Sequence, residues 1–189
     1  MQDHIEVEIK LKIKNRDQLR SQLIQCGFTE GECVREKDVY YTAAHHDFAA
    51  LDEALRVRSV ENLTTGASSS VITYKGAKLD QKSMTRQELE TEVGDARICR
   101  EILCKIGFTP VPPVIKERQY FHNGKMTACV DTVNGLGEYL ELEKLVASDE
   151  ERSEALDEIE RMLNKLGYSM QDTTRTSYLS LLMKKKEFV

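Results

Sequence analysis

The sequence predicts an α+β protein in which about eight short strands form one antiparallel sheet, able to close into a barrel, with helices packed on its outside. Two observations lead there. Residues 5–14 read Ile-Glu-Val-Glu-Ile-Lys-Leu-Lys-Ile-Lys, so Ile5, Val7, Ile9, Leu11 and Ile13 share one face while Glu6, Glu8, Lys10, Lys12 and Lys14 share the other. A helical apolar run closing in Gly-aromatic also recurs three times, ending at Gly27-Phe28, Gly107-Phe108 and Gly167-Tyr168.

The elements follow in order. After the first strand, Asn15 and Asp17 offer N-cap oxygens, and Leu19, Leu23 and Ile24 have helical spacing up to Gly27. Strand patterns are then expected at Arg35–Tyr41, Ala54–Arg58, Val71–Lys75 and Thr85–Val93. The Thr/Ser/Gly-rich stretch from Asn62 to Ser70 reads as a mobile hairpin loop that could close over a site. A second helix ends at Gly107, and Pro110, Pro112 and Pro113 break the chain before Ile115–Phe121, Lys125–Asp131 and Glu138–Leu145. The chain thus resembles two similar halves, each a helix leading into strands. Asp149–Leu166 is the longest helix, with Leu156, Ile159, Met162, Leu163 and Leu166 on its buried stripe, and Lys184-Lys185-Lys186 reads as a solvated tail.

At 189 residues one domain spanning 1–189 is expected. The net charge of −5 argues against a general nucleic-acid binder, although a local cluster of cations can outvote the total. Nothing approaches a membrane span, and Met1 to Glu8 has no basic-then-apolar signal region, so a cytoplasmic protein is expected. Five cysteines, with no CxxC pair, read as reduced and mostly buried; His45-His46 sits in a polar surface loop.

The polar faces carry the chemistry. Ionic residues two apart recur on strand after strand: Glu6, Glu8 and Lys10; Arg56 and Arg58; Lys75 beside Thr73; Arg86, Glu88 and Glu90; Lys116 and Arg118; Glu141 and Glu143. One such strand could be merely the wet side of a half-buried sheet. In a closed barrel with helices outside, however, the charged faces line the lumen. Cations beside two Glu-x-Glu pairs would then be buried uncompensated unless a highly charged guest is present. A polyphosphate with divalent metal meets both demands, since Arg and Lys bind phosphate oxygens and carboxylates bind Mg²⁺ or Mn²⁺.

Glu6-Val-Glu-Ile-Lys10 resembles the Glu-x-Glu-x-Lys signature of the CYTH superfamily of class IV (CyaB-type) adenylyl cyclases, thiamine triphosphatases and tripolyphosphatases. Further matches follow in the family's order: Asp38-Val-Tyr-Tyr41, Leu55-Arg-Val-Arg58, Thr73-Tyr-Lys-Gly76, Arg86-Gln-Glu-Leu-Glu90, Lys116-Glu-Arg118 and the stretch from Val130 to Glu143. That last stretch and Arg175-Thr-Ser-Tyr-Leu179 look most like the CyaB-type branch. The resemblance implies an eight-stranded antiparallel closed β-barrel, a tunnel for a triphosphate. It implies Glu6, Glu8, Glu141 and Glu143 as metal-binding carboxylates, with Asp131 a fifth, holding Mg²⁺ or Mn²⁺. It implies Arg56, Arg58, Lys75, Arg86, Lys116 and Arg118 as phosphate clamps. Lys10 would face the phosphates or position the nucleophile, with Glu8 beside it in the catalytic set. Glu88 and Glu90 would bind a second metal or orient the neighbouring cations.

Three functions then compete. In a cyclase the ribose 3′ hydroxyl of ATP attacks the α-phosphorus and pyrophosphate leaves; in a tripolyphosphatase or thiamine triphosphatase an activated water attacks the terminal phosphorus. A binding module that has lost catalysis would be marked by a missing metal carboxylate, and all four are present. Tyr40, Tyr41 and Tyr120 could stack a base, but strand aromatics more often pack. Small-molecule triphosphates (ATP, tripolyphosphate, thiamine triphosphate) are the expected partners, with no nucleic acid and no membrane, and with a second copy of the chain as a candidate for a homodimer.

Overall fold

Alternation of the kind seen at residues 5–14 forces each strand to present one apolar and one charged face, and the chain resolves this by closing its sheet. The structure, a computed structural model, describes residues 4–187; Met1 to Asp3, Phe188, Val189 and the side chains of His4, Asp149, Lys186 and Glu187 lie outside the described residues. The elements are β1 (His4–Lys12), α1 (Arg16–Gln25), β2 (Thr29–Ala43), β3 (Ala54–Asn62), β4 (Ser68–Lys75), β5 (Arg86–Glu92), α2 (Ala96–Lys105), β6 (Phe108–Pro110), β7 (Val114–Asn123), β8 (Met126–Val133), β9 (Gly137–Val146), α3 (Asp149–Lys165) and α4 (Tyr178–Glu187). Strand order is β3-β4-β5-β1-β9-β8-β7-β2, and β2 pairs back onto β3. This is the expected closed antiparallel barrel of eight strands. The three-residue β6 is an addition, paired to the far end of β2.

The two-halves reading holds. β1-α1-β2-β3-β4 is followed by β5-α2-β7-β8-β9, four barrel strands and one helix in each. Outside the wall, Val7, Ile9, Leu11, Ala128, Val130, Leu140 and Leu142 pack against Leu19 and Leu23 of α1 and Ile159 and Leu163 of α3. Each such Leu or Ile taken from water contributes about 1.5–3 kcal/mol, so this face decides which way the strands turn. Ala155 belongs to the same stripe, whereas Leu156 and Met162 are only half-buried. A second cluster under α2 joins Val39, Tyr41, Val57 and Leu103.

Caps explain where the helices begin. Asn15 Oδ1 accepts from Gln18 N at 3.0 Å, and Asp95 Oδ1 accepts from Arg97 N and Ile98 N. Gly27 ends the α1 segment at φ +88°, where a side chain would be strained. Removing the first cap tests this on its own: Asn15→Ala should destabilise by about 1 kcal/mol. A melting curve should drop by roughly 2–4 °C.

Four expectations are corrected. Strand β2 is 15 residues long, well beyond Arg35–Tyr41, because it must pair with both β7 and β3 to close the barrel. The loop from Asn62 to Ser70 is a tight turn over 63–67: Asn62 Oδ1 accepts from Thr64 N and Thr65 N, and Ser68–Ser70 pair with β3. It lines no part of the central cavity. The Lys184–Lys186 tail is helical, part of α4, and Lys185 Nζ donates to Gly135 O at 2.7 Å. Of the cysteines, all free, Cys129 alone is buried; Cys104 is exposed because it faces away from the α2 core stripe.

A charged tunnel as the candidate active site

Closure puts the charged faces inside. The pairing registers align Glu8 with Glu143, Lys10 with Glu141, Glu6 with Arg86, Lys75 with Glu88, Arg58 with Asp38, and Arg118 with Asp131. Glu6, Glu8, Lys10, Arg56, Arg58, Lys75, Arg86, Lys116, Arg118, Glu141 and Glu143 all line one cavity of about 990 Å³. Every clamp cation and all four paired glutamates named from the sequence therefore meet in one space. Asp131 stands behind them with no exposed surface.

The cations do not wait uncompensated, as the sequence suggested. Three wholly buried acids balance them. Arg58 grips Asp38 with two bonds, Nε to Oδ1 at 2.6 Å and Nη2 to Oδ2 at 2.8 Å, and lies 3.1 Å from Glu36. Lys116 Nζ is 3.0 Å from Glu36 Oε2. Arg118 grips Asp131 in the same two-pronged way at 2.7 and 2.6 Å and also reaches Glu141. Burial pushes Glu36 and Asp38 up, but Arg58 with Lys116 outweighs it at Glu36, and Arg58 with Arg56 at Asp38. Glu36 is held at about 2 and Asp38 well below the usual carboxylate range. Arg86 is likewise committed, its Nη1 donating to the carbonyls of Asp52 (3.1 Å) and Gly76 (2.9 Å), which ties two mouth loops together. Asp52, whose carbonyl makes one of these contacts, has a left-handed φ of 54°.

Glu36 and Asp38 were legible in principle. With Val39 and Tyr41 packed outward, the same period of two sends Glu36, Asp38 and Tyr40 inward. Tyr178 carried no such signal. It reaches in from α4, donates to Asp131 Oδ2 at 2.9 Å, and lays its ring 4.3 Å from Lys10 Nζ and 5.4 Å from Lys116 Nζ.

The other half of the lumen is out of balance in the opposite sense. Burial, followed by the charge of Glu141, raises Glu8 to about 7; burial, followed by Glu6, raises Glu143 to about 8; burial raises Glu6 against the pull of Lys75. Glu8 Oε1 is buried without a hydrogen-bond partner, its neighbour Lys10 Nζ standing 3.6 Å away. Lys10, at 3.0 Å from Glu141, is raised despite its burial, chiefly by Glu141 and Glu8, and stays charged. Glu6, Glu8 and Glu143 are thus largely buried carboxylates that repel one another, one of them with an orphaned oxygen. Among the described residues, no group of three or more His, Cys, Asp or Glu side chains is placed to hold a metal ion as they stand. Across the lumen, Arg56 Nε is a buried donor lacking a partner, although its Nη2 donates to Thr73 Oγ1 at 3.0 Å. One orphan is a carboxylate oxygen, the other a guanidinium donor.

Residues 4–178 match the CYTH domain. The chain belongs to the CYTH family. A relative from Methanocaldococcus jannaschii named "Putative adenylate cyclase" is 37% identical over 177 residues, covering 94% of this chain and 98% of that protein. The PH1819 protein of Pyrococcus horikoshii shares the fold with a TM-score of 0.87 at 35% identity, over 95% of this CYTH chain and 99% of its own. The Hippeastrum protein HpAC1, described as having a dominant triphosphatase activity, is a more distant fold neighbour: TM-score 0.65, 16% identity, 96% of each chain. No helix among the described residues is long and apolar enough to cross a membrane.

Proposed function

We propose that this CYTH protein is a divalent-metal-dependent enzyme that binds a triphosphate in its barrel and converts ATP to cyclic AMP and pyrophosphate. The observation that carries the tunnel reading is the pair of opposite orphans in one lumen, Glu8 Oε1 and Arg56 Nε. Glu6, Glu8, Glu141 and Glu143 would hold Mg²⁺ or Mn²⁺, which supplies charge neutralisation for the triphosphate and the leaving pyrophosphate. Asp131 serves as counter-ion to Arg118 in this arrangement, and Glu88 does the same for Lys75.

The side chains then divide the work. Arg56, Arg58, Lys75, Lys116 and Arg118 meet phosphate oxygens, and their existing acid partners fix them in place before the substrate arrives, so little reorganisation is needed. Lys10, charged and wedged between Glu8 and Glu141, stands where it can neutralise the reacting phosphoryl group or orient the nucleophile. The M. jannaschii relative's name supports the cyclase chemistry. Hydrolysis of the terminal phosphate is the second reading, favoured by the activity described for HpAC1, because the same cations and carboxylates serve either in-line displacement.

ATP lacking its 3′ hydroxyl separates the two. With Mg²⁺ or Mn²⁺ present, the protein should form cyclic AMP from ATP and release no pyrophosphate from the 3′-deoxy analogue. Orthophosphate from that analogue at near-normal rate, without cyclic AMP from ATP, would assign the protein to the triphosphatases instead.

A further inference from the structure

The two halves of the barrel are clothed unequally. α2 repeats α1 position for position: each is 10 residues long, Asp95 caps α2 as Asn15 caps α1, and Gly107-Phe108 follows as Gly27-Phe28 does. Ile98, Ile102 and Ile106 therefore stand where the first half has Gln18, Gln22 and Cys26. That flank of α1 meets α3. Gln22 Nε2 donates to Leu166 O at 3.5 Å, and Cys26 packs on the cluster that holds Leu163 and Leu166. The chain supplies such a helix once: α3 follows β9 and lies over β9 and β1, whereas β4 runs on to β5 with no helix between them.

The second half thus lacks a counterpart to α3, and the residues that would meet one are apolar and open. Ile98, Ile102 and Ile106 are 41, 56 and 61% exposed, and their spacing of four puts them on one stripe of α2. The stripe lies beside the face that carries Ala96, Cys99 and Leu103 onto the barrel. On the wall, Glu88 and Glu90 turn in toward Lys75 and Arg56, so Leu89 between them stands outside. It is 48% exposed, in the place that the buried Ile9 fills in β1. Isoleucines in register and half in water mark a contact surface, unlike apolar residues scattered singly.

The charges beside the stripe indicate what covers it. Arg97, Glu101 and Lys105 run along its outer border, with Arg97 paired to Glu101 at 3.7 Å. This border complements itself only when reversed. With two such helices antiparallel and Ile102 beside the two-fold axis, Lys105 of each copy falls within about 3 Å, along the axis, of Glu101 on the other. Laid parallel, Glu101 would meet Glu101 and Lys105 would meet Lys105.

We propose that two copies of this chain pair through α2, antiparallel, burying Ile98, Ile102 and Ile106 against the same stripe of the second copy. The second copy's helix lies alongside α2 as α3 lies alongside α1. The contact is apolar at its centre and ionic at its rim. It sits on the outside of the barrel wall, so it stands or falls independently of what the tunnel binds.

Sedimentation equilibrium over about 1 to about 200 µM should show the wild type passing from monomer to dimer, the weak association expected of a contact below the standard interface size. Ile102→Asp and, separately, Ile106→Asp should each weaken the dimer by about tenfold or more, because each puts a charge into the apolar centre. Both positions are exposed in the monomer, so circular dichroism and melting of dilute protein should be unchanged. Lys105→Glu should weaken association several-fold, and Glu101→Lys/Lys105→Glu should recover it. A wild type that stays monomeric at about 200 µM, or a dimer that both aspartate variants leave intact, would overturn the proposal. A double charge variant that associates no better than Lys105→Glu alone would overturn the antiparallel pairing, and the proposal with it.

Discussion

Glu8→Gln should reduce turnover of the triphosphate by about 10³-fold, the ~4 kcal/mol that a misplaced divalent cation removes from charge stabilisation in the transition state. The fold should survive, for a reason visible in the lumen. Burial and Glu141 raise Glu8 to about 7, so near neutrality and without metal its carboxyl already tends to hold a proton, which the glutamine amide imitates in shape and polarity. The pH dependence has a definite sign. Glu8 and Glu143 have folded values above their ordinary 4.5, so the metal-free folded protein binds protons that the unfolded chain releases. Stability contributed by these two groups is present below about 4.5 and is lost as pH rises toward 7 and 8. Metal-free protein should therefore melt at lower temperature at pH 8 than at pH 6, and Glu8→Gln should flatten that slope. A saturating divalent cation, at about 100 times its Kd, should add about 2.7 kcal/mol, or roughly 5–11 °C. A chelator that alters neither turnover nor melting temperature would remove the metal site from the account.

Arg118→Ala should be the most damaging single change to the resting protein. Arg118 satisfies both oxygens of Asp131, whose side chain has no exposed surface, and also contacts Glu141. Deleting the guanidinium leaves a buried carboxylate facing only Tyr178 Oη at 2.9 Å and Lys116 Nζ at 3.8 Å. Breaking a buried pair from one side costs about 3–5 kcal/mol, a fall in melting temperature of roughly 6–20 °C. A second loss should appear in triphosphate affinity. The double variant Arg118→Ala/Asp131→Asn separates the two losses: removing the stranded charge should restore much of the melting temperature and none of the affinity. If tripolyphosphate affinity is unchanged in the double variant, Arg118 is a structural cation and not a phosphate ligand.

Much of this architecture is written locally. Alternation places Glu6, Glu8 and Lys10 on one face and Val7, Ile9 and Leu11 on the other whatever the rest of the chain does, because successive Cβ atoms on a strand point to opposite sides. Asn15, Asp95 and Gly27 set helix boundaries through bonds and backbone angles that span three or four residues. Partnership is another matter. Whether Arg118 faces a guest phosphate or Asp131, thirteen residues on, depends on the β7–β8 register, and its contact with Glu141 depends on β9 lying next in order. The same parity that marked Arg58 as inward also marked Asp38, yet only closure of β2 onto β3 makes them a pair.

That closure reverses the electrostatic argument. Read from the strands alone, the lumen has cations in search of an anion; in three dimensions Glu36, Asp38 and Asp131 neutralise them, and the unbalanced charge is the carboxylate cluster of Glu6, Glu8 and Glu143. Tyr178 marks the far limit of local inference. Its ring lies within 4.3 Å of Lys10 Nζ and 5.4 Å of Lys116 Nζ, on residues 168 and 62 positions earlier in the chain. The sequence determined which side chains turn inward, since that follows from a two-residue period. The tertiary structure decided which of them meet, since Coulomb interactions and hydrogen bonds fall off within a few ångströms and strand order sets those distances.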